Sequence, residues 1–111
     1  MAGSPDVPQI SVSACPADAL LLDVREPEEW VAGHAPGAQH IPLGDLPARV
    51  GEVPRDRQVV AVCRSGGRSA GATGWLAEQG YDAINLDGGM TAWAAAGRPM
   101  ESETGGPPTV A

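Results

Sequence analysis

The run Gln-Val-Val-Ala-Val-Cys at 58–63 is almost wholly apolar and ends abruptly on a cysteine. A strand with one wet face alternates polar and apolar residues, whereas an unbroken β-branched run needs cover on both faces. Ala-Leu-Leu-Leu-Asp-Val at 19–24 has the same character. Helical signals separate these runs, which implies crossover connections and an α/β fold with a mainly parallel central sheet flanked by helices. Further short strands are expected at 9–12, 38–41 and 82–86, about five in all.

The intervening stretches carry start and stop residues for helices. In 26–33, Pro27 suits a first turn, Glu26, Glu28 and Glu29 form an acidic cluster at the positive end of the dipole, and Gly33 ends the segment. A short helix is expected within 43–53, with Pro47 near its start. Residues 69–79 put Ala72, Trp75, Leu76 and Gln79 on one face and close at Gly80, and a last helix is expected over 88–97. Gly71 and Gly74 each weaken the 69–79 helix by roughly 1 kcal/mol relative to alanine, which predicts a close approach to the sheet. Trp30, Trp75 and Trp93 are read as core or crevice-wall residues.

At 111 residues the chain fits one domain. Residues 1–8 and 101–111 are rich in proline, glycine and polar groups and are expected to be disordered tails around a domain at 9–100. The net charge of −7, with every cation an arginine, argues against nucleic acid and anionic lipid as partners. No stretch has the apolar length of a membrane span, and the N-terminus lacks the basic and apolar regions of a secretory signal. Two cysteines cannot build a disulfide framework, so a reducing cytoplasm is the expected setting. A Cys15–Cys63 pairing is possible in principle but disfavoured.

The residues after Cys63 are chemically unusual: Arg64, Ser65, Gly66, Gly67, Arg68 and Ser69. The cysteine ends a strand, and in parallel sheets the ligand crevice lies beyond the carboxyl ends of the strands. A helix starting near Ser69 aims unpaired N–H groups at the loop, two arginines add charge, and two glycines let the backbone curl into an anion nest. Reactive, low-pKa thiols occupy such electropositive settings. A purely structural cysteine leaves both charges and both glycines unexplained.

Other polar residues draw plainer readings. Asp23 and Arg25 lie two apart on one strand, share a face, and are expected to pair or to organise the crevice. His34 and His40 have no second ligand at metal spacing, so structural or surface roles are expected, with no metal and no cofactor.

In this setting the sequence resembles the rhodanese homology domain in its single-domain form. The resemblance rests on Leu-Leu-Asp-Val-Arg-Glu-Pro-Glu-Glu-Trp at 21–30 and Gly-His-Ala-Pro-Gly-Ala-Gln-His-Ile-Pro-Leu at 33–43. It extends to the strand, loop and helix at 59–76 and to Leu-Asp-Gly-Gly-Met-Thr-Ala-Trp at 86–93. The blocks fall in the family's order over roughly 9–100. The resemblance implies a rhodanese-like fold, with the first helix shortened because 13–18 is too brief to hold it. It also implies transfer of sulfane sulfur through a Cys63 persulfide, from thiosulfate or a persulfide donor to cyanide or a thiol, including a protein thiol. Cys63 is then the nucleophile, Arg64 to Arg68 the binding loop, Ser69 the start of the next helix, and Arg68 the foremost candidate for gripping the donor. A monomer is expected.

Two rival functions are weighed. Cysteine phosphatases and arsenate reductases use a related anion loop, but only four residues separate Cys63 from Arg68, a tighter loop than the five-residue phosphatase spacing. A non-catalytic interaction module usually lacks the cysteine.

Overall fold

The computed structural model describes residues 7–111. The expected tail at 1–8 therefore lies mostly outside the described residues. Among the described residues five strands form one sheet: β1 (Gln9–Ile10), β2 (Leu20–Asp23), β3 (Gln39–His40), β4 (Val59–Val62) and β5 (Ala83–Leu86). Their order is β1-β5-β4-β2-β3, and every pairing is parallel. Four helices accompany them: α1 (Pro27–Ala32), α2 (Leu46–Arg49), α3 (Gly67–Glu78) and α4 (Gly89–Ala95). The mixed α/β architecture expected from the sequence is the one observed. Only a turn of 3₁₀ helix, Val12–Ala14, stands between β1 and β2.

The period-two geometry of strands divides the interior. Leu22, Val24, Val59 and Cys63 face α2 and α3, joining Leu46, Ala72 and Leu76. Leu21, Val60 and Val62 face the other way, joining Leu86, Met90 and Trp93. Both faces of β2 and β4 are covered, which is what their unbroken apolar runs require. Burying one such leucine or valine side chain stabilises by roughly 1.5–3 kcal/mol. Cys15 sits in the second cluster and Cys63 in the first; both are free thiols, so the disfavoured pairing does not occur.

Two local readings change. The 43–53 helix is broken into a 3₁₀ turn at Leu43–Asp45, the four-residue α2, and a second 3₁₀ turn at Val50–Glu52. Gly71 and Gly74 do not approach the sheet. A Cβ on Gly71 would meet nothing within 4 Å, and one on Gly74 would meet only Val7 at 3.5 Å. Gly71 instead lines a shallow apolar hollow with Leu43, Leu46, Pro47, Ala72 and Trp75.

Residues 101–111, read from composition as a tail, run back against α1. Glu101 and His34 exchange backbone hydrogen bonds of 2.8 Å, Glu103 N–H donates to Val31, and Thr109 N–H donates to Ala32. Met100 and Val110 pack on the second cluster. Gly33 permits this contact, because a Cβ there would overlap the Thr109 carbonyl oxygen. Long-range pairing of this kind has no signature in local composition.

Candidate active site

β4 delivers Cys63 to the carboxyl edge of the sheet, next to the N-terminus of α3. Gly66 caps α3 with φ of 111°, a left-handed conformation that side chains resist. The helix begins at Gly67, ahead of the expected Ser69, so Ser69 lies buried within its first turn. Gly67 itself is exposed, has no positive φ, and a Cβ on it would meet nothing within 4 Å. Of the adjacent glycines, only Gly66 is required by backbone geometry.

The loop's carbonyls are drawn away from the thiol. Met90 N–H donates to the Cys63 carbonyl at 2.8 Å, and Thr91 N–H to that of Arg64 at 3.0 Å. The Gly66 carbonyl accepts from Asn85 Nδ2 at 3.1 Å and from Ala70 N–H at 3.0 Å. Gly89, with φ of 57°, lets α4 come this close, since a Cβ there would overlap the Cys63 carbonyl oxygen. With carbonyls occupied outward, amides are left to face the sulfur. Gly66 N–H donates to Cys63 Sγ at 3.1 Å, and Ser69 Oγ lies 3.3 Å from it.

Cys63 is 1% exposed and touches the first apolar cluster, yet its sulfur is not sealed in hydrocarbon. Burial works against the thiolate, but the Ser69 hydroxyl and the amides of Ser69, Gly66 and Ser65 outweigh it. The thiol pKa is held below its ordinary value. The largest part of the stabilisation comes from these short-range donors, with the Arg68 charge in coulombic reach of the sulfur, whereas the sequence pointed equally to both arginines.

The arginines divide. Arg64 is exposed and makes no side-chain hydrogen bond among the described residues. Arg68 is engaged by Glu29 of α1: Nη1 donates to Oε1 at 2.8 Å and Nη2 to Oε2 at 2.9 Å. The Arg68 hydrogen bonds, working against burial, hold the Glu29 carboxyl at about 2. Glu29 also accepts from Glu26 N–H at 2.9 Å and closes a capping box on α1. The acidic cluster seen in the sequence thus contains a direct partner of the active loop.

Asp23 and Arg25 form the expected pair, both fully buried. Arg25 Nε and Nη2 donate to the carboxylate at 2.8–3.1 Å, and Nη2 also donates to the Gly33 carbonyl at 2.7 Å. Arg25 Nη1 has no hydrogen-bond partner among the described residues. His34 and His40 are structural, stacking near Trp30 with ring centroids 3.6 and 4.6 Å away. His34 Nδ1 donates to the Trp30 carbonyl at 2.8 Å and His40 Nε2 to that of Arg25 at 2.9 Å. Among the described residues no cluster of histidine, cysteine or carboxylate could hold a metal.

Sequence reasoning missed Asn85. It lies on β5, 2% exposed, and accepts from Ser69 Oγ while its Nδ2 donates to Gly66 and to Gln9. A buried asparagine in an apolar strand was the available signal, because such a side chain must find partners.

The geometry is that of a cysteine sulfur faced by amide and hydroxyl donors at the carboxyl edge of a parallel sheet, and comparisons with known proteins identify the domain that carries it. Residues 12–96 match the model of the rhodanese-like domain. A protein named sulfurtransferase from Allochromatium vinosum is 45% identical over 79% of this chain and 83% of its own. A crystal structure of a rhodanese-related protein from Thermoplasma volcanium superposes with a TM-score of 0.81 at 28% identity, covering 85% of this chain and 97% of that one. Thiosulfate sulfurtransferase from Pseudomonas aeruginosa aligns with a TM-score of 0.76 at 26% identity, over 88% of this chain and 21% of the larger protein.

The chain belongs to the rhodanese-like domain family. Its activity is of the sulfurtransferase class.

Proposed function

We propose that the protein moves sulfane sulfur through a persulfide on Cys63. The thiolate attacks the outer sulfur of thiosulfate or an organic persulfide. The donor's S–S bond breaks, and its electron pair leaves with sulfite or the donor thiolate. The product, Cys63–S–S⁻, carries its charge on the terminal sulfur, where inward amides stabilise an anion as an oxyanion hole does. Cyanide or an acceptor thiolate then takes the outer sulfur and restores Cys63, a ping-pong cycle. No general base is required.

The observation that supports this reading best is the set of donors around Sγ, with Gly66 N–H at 3.1 Å and Ser69 Oγ at 3.3 Å. Arg64, Ser65, Gly66, Gly67 and Arg68 form the donor loop, with Ser69 behind it. Asp23 and Arg25 are taken to support the crevice. The proposal takes the substrates to be small and diffusible, the setting to be the cytoplasm and the working unit to be a monomer. Among the described residues no helix is long and apolar enough to cross a membrane. Intact-mass spectrometry after incubation with thiosulfate or glutathione persulfide should add one sulfur to the protein and none to Cys63→Ser. An unchanged mass with every donor would overturn the proposal.

A further inference from the structure

Arg68 is the loop's best-placed cation for a donor anion, but its guanidinium is already occupied. Two of its nitrogens bind the two oxygens of Glu29 at 2.8 and 2.9 Å. The pair is only partly accessible, with side chains 37% and 15% exposed, so bulk water screens it incompletely. Glu29 is itself fixed from behind, since the Glu26 amide donates to Oε1 at 2.9 Å. An anion that takes this edge of Arg68 must displace a carboxylate that is held in place, and one that reaches the remaining N–H groups meets a cation already neutralised.

The cost of that displacement depends on the donor's charge. Thiosulfate brings two negative charges into the loop, and the sulfite it releases also carries two. An organic persulfide brings one and releases a thiolate carrying one. With Arg68 neutralised, the loop offers its amides and the exposed Arg64, a field suited to a single charge. Glu29 repels the second charge unless Arg68 is freed to face it.

We infer that Glu29 is a specificity-determining residue that masks Arg68 and turns the loop toward singly charged persulfide donors and away from dianionic thiosulfate. The inference rests on the sulfurtransferase reading above. In the reaction, sulfur passes from R–S–S⁻ to the Cys63 thiolate, giving Cys63–S–S⁻ and R–S⁻, so atoms and charge balance without a further reactant. Glu29 does not touch the transferred sulfur; it acts through Arg68.

Glu29→Gln tests the idea cleanly. Glutamine at this helix position can still accept from the Glu26 amide, so the capping box survives while the charge is lost. A mask predicts that the ratio of kcat/KM for thiosulfate to that for 2-hydroxyethyl persulfide, a donor with one charge, rises about threefold or more, mainly through a lower KM for thiosulfate. If Glu29 only braces the loop, its loss raises KM for both donors and leaves the ratio unchanged, which overturns the inference.

A second readout needs no sulfur transfer. Cys63 is alkylated by anionic iodoacetate and by neutral iodoacetamide, and the ratio of the two rates reports the local field. Glu29→Gln should raise that ratio about threefold, and Arg68→Ala should lower it. Cys15 is removed by Cys15→Ala so that only one thiol reports. An unchanged alkylation ratio would show that Glu29 masks nothing, even if sulfur transfer is confirmed. Failure of the unsubstituted protein to take sulfur from any donor would overturn the sulfurtransferase reading and the donor preference, while the alkylation ratio would still report the field.

Discussion

Ser69 Oγ lies between two acceptors, Cys63 Sγ at 3.3 Å and Asn85 Oδ1, and has one proton to give them. When Cys63 is ionised, the hydroxyl is better used on sulfur. When it is protonated, Asn85 keeps the hydroxyl in register. The buried polar pair thus holds the donor in place for the ionised state.

Ser69→Ala should raise the thiol pKa, because the remaining amides face the same burial with one donor fewer. The alkylation rate of Cys63 at neutral pH is expected to fall several-fold, in line with the worth of a hydrogen bond to a charged group. A pH profile of iodoacetamide labelling measures it, and an unshifted profile would remove Ser69 from the account.

The glycines of the site should respond in opposite senses. Gly89→Ala drives a Cβ into the Cys63 carbonyl oxygen at a φ of 57°. Strain and overpacking together predict a loss of about 2–5 kcal/mol in urea unfolding. Gly67→Ala, at an exposed helical position, should instead gain roughly 0.5–1 kcal/mol and leave Cys63 labelling intact.

Asp23→Asn removes the charge that offsets a fully buried guanidinium 2.8 Å away. Breaking one partner of a buried ion pair costs about 3–5 kcal/mol. Chemical denaturation should show that loss, whereas an equal change at the exposed Glu52, paired with Arg49, should leave the unfolding midpoint nearly where it was.

Acid should dissolve the contact between α1 and the active loop. The Glu29 carboxyl is held at about 2 in the folded chain, below its ordinary 4.5. A lowered folded value means that this stabilisation is complete above 4.5 and is lost as pH falls through about 2. Wild-type stability should decline over that window, and Glu29→Gln should lack this component of the decline when the two are compared by denaturant titration.

Much of this was legible in the chain. The unbroken runs at 20–23 and 59–62 announced buried parallel strands, and the residues after Cys63 suggested a backbone curled around the thiol, where Gly66 N–H and Ser69 Oγ are found. The Asp23–Arg25 pair was readable from two opposite charges two residues apart, although β2 ends at Asp23 and Arg25 lies just beyond it. Glu29 and Arg68 were not readable as partners, being 39 positions apart and joined only when α1 docks beside α3. Asn85, Gly89 and the return of residues 101–111 were hidden for the same reason, since each acts on a segment distant in sequence. The glycines misled in detail, because composition marks flexibility without saying which residue must use it.

Because the closing turn at Gly88 and Gly89 pulls the Cys63 and Arg64 carbonyls aside, the acidity of the thiol is a property of the finished chain. Tuning the nucleophile thus takes β4, α3 and the turn ahead of α4 together, three segments well apart in sequence that meet only when the sheet and its helices are packed.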